Sequence, residues 1–190
     1  MVDTTSGGCM TNIDDELLSM GVITISGDIS EETFEEFHKK FIIIHKLYLE
    51  KIDVIEVSIN SVGGELTSVF AICDLIKASE VPVKTVALGC AMSGGFLILI
   101  SGKPRVITNN TMLMCHNFRG GTYGDYGDLV AKRKMEDISN KRIIEHLIRH
   151  SNLKTEKRVK EILLKGVDSF LEPSEALKYG LVDVILKDKK

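Results

Sequence analysis

Cysteine is scarce in this chain and never clustered: Cys9, Cys73, Cys90 and Cys115 are scattered, with no C-x-x-C pair. That spacing gives no disulfide framework and suits a reducing, cytoplasmic setting better than secretion. Three of the four sit in apolar surroundings, where cysteine packs as a small hydrophobe. A long apolar run is also missing. The longest, Ala87 to Ile100, is interrupted by Ser93 and three glycines, too short to span a bilayer. Residues 1–20 are polar and acidic and resemble neither a signal nor a transit peptide. Charge of one sign is lacking as well. The formal net charge is −3, and the Lys and Arg concentrated in 132–165 are mixed with Glu and Asp. This reads as solvated helix faces and not as a nucleic-acid surface. No internal repeat or low-complexity tract is present.

What remains is an ordinary globular composition, 44% hydrophobic and 27% charged over 190 residues, long enough for one well-buried core. Residues 1–20 lack periodicity and are expected to form a mobile arm, leaving 21–190 as a single domain. Val22–Ile25 reads as a strand closed by Gly27. Ser30, followed by Glu31 and Glu32, reads as the N-cap of a helix running to about Leu49. Val54–Ile59 alternates as a strand. A helix over 65–78 carries Leu66, Val69, Phe70, Cys73 and Ile76 as an apolar stripe. Strands are expected at 83–88, 105–108, 112–115 and 182–186. Long charged helices are expected at 126–150 and 155–165, with Pro173 opening a short one that Gly180 stops. The strand–helix alternation predicts an α/β fold with mostly parallel strands.

Against that frame, Ala91-Met92-Ser93-Gly94-Gly95 is the segment richest in chemistry. Ser93 follows a strand and opens an apolar helix. A serine hydroxyl needs a base to take its proton and N–H groups to stabilise an oxyanion. The first N–H groups of a helix are unpartnered and suited to that task. The pattern is not G-x-S-x-G, so an α/β-hydrolase elbow is not indicated. Gly63-Gly64 sits at another strand–helix junction, His116 ends a strand before a glycine loop, and Asp168 lies between two helices. Taken singly, each is equally a tight turn, a hydrogen-bonded structural histidine or a helix cap. His146 and His150 stand four apart on the long helix. They lack the H-E-x-x-H pattern and a third ligand, so they read as a solvated face without metal. Tyr123 and Tyr126, in a glycine-rich loop without a basic patch, do not read as a base-stacking platform.

Together the landmarks form one pattern: Asn60-Ser-x-Gly-Gly64, Gly89-x-Ala-x-Ser-x-Gly95, Met114-x-His116 with a following Gly-Gly, Asp168-x-Phe-Leu, and Glu175-Ala-x-x-Tyr-Gly-Leu-Val-Asp183. Over about residues 21–187 this resembles the proteolytic subunit of Clp protease. The resemblance implies a crotonase-like spiral of β-β-α units with the 126–150 helix as a handle pairing subunits across two rings. It implies a serine endopeptidase acting on unfolded polypeptides or short peptides inside a ring-shaped chamber. Ser93 would be the nucleophile, His116 the general base, Asp168 its orienting acid, and the N–H groups of Gly64 and Gly94 the oxyanion hole. Substrate would lie as an added strand along 117–124, on Asn117, Phe118, Arg119 and Gly120. A homo-oligomeric heptamer or tetradecamer is implied. No metal or cofactor is, and ATP would enter only through a partner AAA+ Clp ATPase.

The chain departs from that family's pattern at several places. Val62 and Phe118 replace the usual prolines, and Val167 replaces an arginine that helps link two rings. The family's ATPase-docking pockets are partly aromatic, but the matching positions are Glu56, Ser58, Ala78 and Val106. A carboxylate against an apolar anchor loses burial and adds a desolvation cost, which argues against docking of the usual ATPases. Two other readings stay open: a non-catalytic ring subunit that partners an active paralogue, and acyl-CoA chemistry on the same glycine turns.

Overall fold

The computed structural model describes residues 13–121 and 123–187. Seven strands, β1 (Val22–Ile29), β2 (Ile55–Gly64), β3 (Val83–Met92), β4 (Arg105–Thr108), β5 (Met112–Cys115), β6 (Ser169–Leu171) and β7 (Val184–Leu186), form one sheet. The path β1-β2-β3-β4-β7 is parallel throughout, and β5 branches from the far end of β3. Only the β5–β6 pair is antiparallel. The helices are α1 (Ile13–Ser19), α2 (Glu31–Ile43), α3 (Leu66–Ala78), α4 (Gly94–Ser101), α5 (Tyr126–Arg149), α6 (Glu156–Ile162) and α7 (Pro173–Lys178). The α/β, mostly parallel fold read from the sequence is the one found.

β3 branches because its two halves serve different neighbours. Thr85–Ala87 pairs with β4, whereas Cys90–Met92 pairs with β5. Between the halves the register with β2 jumps from Ile59↔Ala87 to Ser61↔Ala91, so residues 88–90 stand opposite Asn60 alone. Asn60 Oδ1 accepts the freed Cys90 N–H at 3.2 Å, so this bulge is closed by a side chain. The far end of β3 is thereby aimed at β5, which delivers the serine turn beside the histidine strand.

The core lies between the sheet and α3, α4 and α5. α4 is buried along Gly94–Ile100, as a helix apolar on every face must be, and packs on α3, β2 and β3. Ser30 caps α2 reciprocally: its Oγ accepts the Thr33 N–H at 3.3 Å, and Thr33 Oγ1 accepts the Ser30 N–H at 3.2 Å. The α2 direction continues through a π turn, Ile44–Tyr48, and a 3₁₀ turn, Leu49–Lys51.

Within the segment read as an N-terminal arm, Ile13–Ser19 is helical and Leu18 is buried in the core. One apolar anchor in an acidic stretch is too sparse for periodicity to register. Residues 1–12, with Cys9, lie outside the described residues. β6 is a further strand, only three residues long, immediately after Asp168. His146 is buried, not solvated. Its Nε2–H points to Leu97 O and Ser101 Oγ, each at 3.1 Å, and its ring centroid lies 4.5 Å from that of His150 in a tilted pair.

Candidate active site

Ser93 sits where β3 gives way to α4, with φ 50° and ψ −116°. Positive φ is rare for a non-glycine residue and costs about 1–3 kcal/mol unless the surroundings impose it. Here they do. The Ser93 N–H donates to Met114 O of β5 at 2.8 Å, and Ser93 O accepts the Leu97 N–H at 3.2 Å as the first bond of α4. Gly63, at φ 104°, passes so close that a Cβ there would stand 2.7 Å from Ser93 Cβ and 2.8 Å from Gly94 N. A Cβ on Gly94 would meet Val69 Cγ2 of α3 at 2.4 Å. The serine turn is therefore clamped between β5, the β2 end and α3.

The clamp brings the Gly64 and Gly94 backbones to one side of Ser93. A Cβ on Gly94 would lie 3.5 Å from Gly64 N. Gly94 is the first residue of α4, so its N–H has no intrahelical acceptor, and the helix dipole adds positive potential there. This is an anion-favouring corner next to a hydroxyl.

Ser93, Gly64, Gly94, His116, Asn117, Phe118 and Arg119 line one cavity of about 60 Å³, floored by Leu66, Leu97, Cys115 and Ile143. Of the residues expected to bind substrate, Gly120 alone is absent from this lining. Cys115 is no rival nucleophile: burial pushes its thiol up to about 12, so it stays protonated at neutral pH.

His116 follows β5, and its Nδ1 hydrogen-bonds the backbone carbonyl of Asn117. A carbonyl only accepts, so Nδ1 carries the proton and Nε2 is left as the basic nitrogen. Asp168 is directed elsewhere: its Oδ1 pairs with Nη2 of Arg119. Among the described residues, His116 shares no hydrogen bond with Ser93 or with Asp168. The structure thus brings Ser93, His116, Gly64 and Gly94 to one cavity, whereas Asp168 is engaged by a cavity-lining arginine.

One contributor, Asn140, was not legible in the sequence, and another, Ser61, stood in the glycine motif without a role of its own. Asn140 of α5 accepts the Phe118 N–H on its Oδ1 at 2.9 Å, tethering the loop to the long helix. In a charged helix one amide side chain carries no distinguishing pattern. Ser61 Oγ donates to Gly27 O at 2.6 Å and accepts the Gly63 N–H at 3.1 Å, fixing the glycine turn. Ser169 Oγ, beside Asp168, is buried and finds no partner among the described residues.

Among the described residues, no helix is long and apolar enough to cross a membrane. No group of three or more His, Cys, Asp or Glu is placed to hold a metal ion within that same set.

Fold and site together define a crotonase-like α/β protein with a strained serine and a histidine lining one cavity. The family model described as Clp protease matches residues 6–189, nearly the whole chain. The chain belongs to the Clp protease family. It is similar to the ATP-dependent Clp protease proteolytic subunit of Deinococcus radiodurans, 32% identical over 134 residues. That match covers 70% of this chain and 64% of the relative.

Proposed function

We propose that this chain is a serine-type endopeptidase subunit that hydrolyses peptide bonds in unfolded polypeptides or short peptides. The observation that carries the reading is the strained Ser93 turn, which puts Ser93 in one cavity with Gly64, Gly94 and His116. His116 Nε2 takes the Ser93 proton as Oγ attacks the scissile carbonyl, and returns it to the leaving amine. The Gly64 and Gly94 N–H groups stabilise the oxyanion, and Asp168 orients His116 once it turns from Arg119 to Nδ1. Water then hydrolyses the acyl-enzyme. The peptide lies along Asn117, Phe118, Arg119 and Gly120.

Family membership supports a ring-shaped homo-oligomer, heptamer or double heptamer, with the sites facing an inner chamber in the cytoplasm. The surface argues for hydrolysis without a docked ATPase. Glu56 Oε2 pairs with Lys84 Nζ at 2.7 Å, Ser58 Oγ donates to Glu56 Oε1 at 3.4 Å, and Val106 is buried. An ion pair therefore stands where an aromatic pocket wall is expected.

A fluorophosphonate probe tests the chemistry. Wild-type protein is expected to be labelled at Ser93 and to cleave unstructured peptides, and Ser93→Ala is expected to do neither. A folded, assembled wild type that takes no label would overturn the proposal.

A further inference from the structure

Both residues that should work with Ser93 are held at rest by one three-residue segment. His116 Nδ1 donates to the Asn117 carbonyl, and Asp168 Oδ1 accepts from Arg119 Nη2. Asn117, Phe118 and Arg119 also line the cavity in front of Ser93. Phe118 is pinned at its N–H by Asn140, which ties the segment to α5. Ser169 Oγ, adjoining Asp168, is left without a partner in this arrangement.

We propose that Arg119 is a substrate-reading positioning residue. At rest it holds Asp168 away from His116; an acidic side chain of the bound peptide draws the guanidinium off and frees Asp168 for the histidine. The inference rests on the peptidase reading of Ser93 and adds the substrate class that reading lacks: peptides with Asp or Glu beside the scissile bond.

Three observations carry it. Arg119 offers five N–H donors in a planar fork, and Asp168 is its one ionic partner among the described residues. The Arg119 side chain is 60% exposed, so a second carboxylate can reach it from the cavity mouth. The pair is also weak by position: an exposed ion pair of this kind contributes about 1 kcal/mol at most, a factor of about five in population. A peptide carboxylate at the same guanidinium competes on equal chemical terms. It has the further advantage of a cavity that the substrate itself closes to water. Once free, the Asp168 carboxylate competes with the Asn117 carbonyl for the His116 Nδ1–H, and as a charged acceptor it makes the stronger hydrogen bond.

The test pairs two unstructured peptides that differ only by Glu against Gln next to the cleaved bond. Wild-type protein is expected to cleave the Glu peptide with kcat/KM up to about fivefold above the Gln peptide. In Arg119→Gln the ratio is expected to fall to about one, with kcat on the Gln peptide raised up to about fivefold because Asp168 is no longer held. Arg119→Lys, which keeps the charge but loses the fork, is expected to retain an intermediate ratio. A purely structural role for Arg119 would lower both peptides alike. Equal cleavage of the two peptides by wild type would overturn the proposal without any variant. The fluorophosphonate label on Ser93 separates that result from failure of the peptidase reading, since an enzyme that labels yet does not discriminate loses only the Arg119 inference.

Discussion

The serine turn is sterically over-determined, and its most testable contact is the one between Gly94 and Val69. A methyl on residue 94 would sit 2.4 Å from Val69 Cγ2, far inside contact distance, while Val69 is itself fully buried. Gly94→Ala should therefore cost about 1–3 kcal/mol of overpacking and displace Ser93 enough to slow labelling. Val69→Ala removes the colliding methyl and opens space of matching size. The double variant should be more stable than the sum of the two single losses by about 1 kcal/mol or more, in urea unfolding at fixed protein concentration. Simple additivity would show that the turn yields elsewhere. The glycines, Ser93 and His116 were legible only together, because each alone reads equally as a turn or a structural residue and their order along the chain is what forms a pattern. The Arg119–Asp168 pair was not, because it joins residues 49 positions apart with no shared pattern. Arg119 accordingly read only as a substrate contact.

Helix α5 shows where element-level reading succeeds and where it stops. Its extent, Tyr126–Arg149, was read almost to the residue from its charge pattern. Which residues face inward was not, because His146 and His150 look like solvent-facing polar residues until α4 is packed against them. Burial first, then the His150 neighbour, lowers His146 to about 4; burial and Arg105 lower His150 to about 4. Both are thus neutral in the folded chain at neutral pH. The unfolded chain binds their protons near 6.5, so between about pH 6.5 and 4 it holds more protons than the folded one. Stability is therefore complete above about pH 6.5 and falls as the pH drops towards 4. The loss from the buried His146 alone is of order 2–3 kcal/mol. The Asp183 carboxylate, held below its usual range by hydrogen bonds from Arg105, loses its contribution only at lower pH. Urea midpoints at pH 7 and pH 5 should differ clearly in wild type. In His146→Gln, which keeps an N–H donor for Leu97 O but cannot titrate, the difference should shrink. An unchanged pH dependence would mean that His146 is protonated in place.

The same helix also presents apolar side chains outward, which an isolated subunit would not need. Leu129, Val130, Met135 and Ile138 are exposed on α5, and Met135 and Ile138 line a groove with Leu66, Phe70 and Ala71 of α3. The groove has a volume of about 760 Å³ and opens beside Phe118, which also lines the serine cavity. In the proposed ring, this face is where a neighbouring subunit would pack, so assembly and the 117–119 segment share a wall. That links the largest scale to the smallest: a subunit seated in the groove would restrict how Phe118, and with it Arg119, can move. Native mass measurement should find wild type as a multiple of the 21.1 kDa chain. Ile138→Asp, which sets a carboxylate in the apolar groove wall, should shift it towards the single chain. Ser93 labelling should fall together with the assembled fraction, because the loop that holds His116 and Asp168 would lose its outer support. A variant that dissociates yet labels at the wild-type rate would show that the site is complete within one chain. A variant that stays assembled would place the subunit contact on another face.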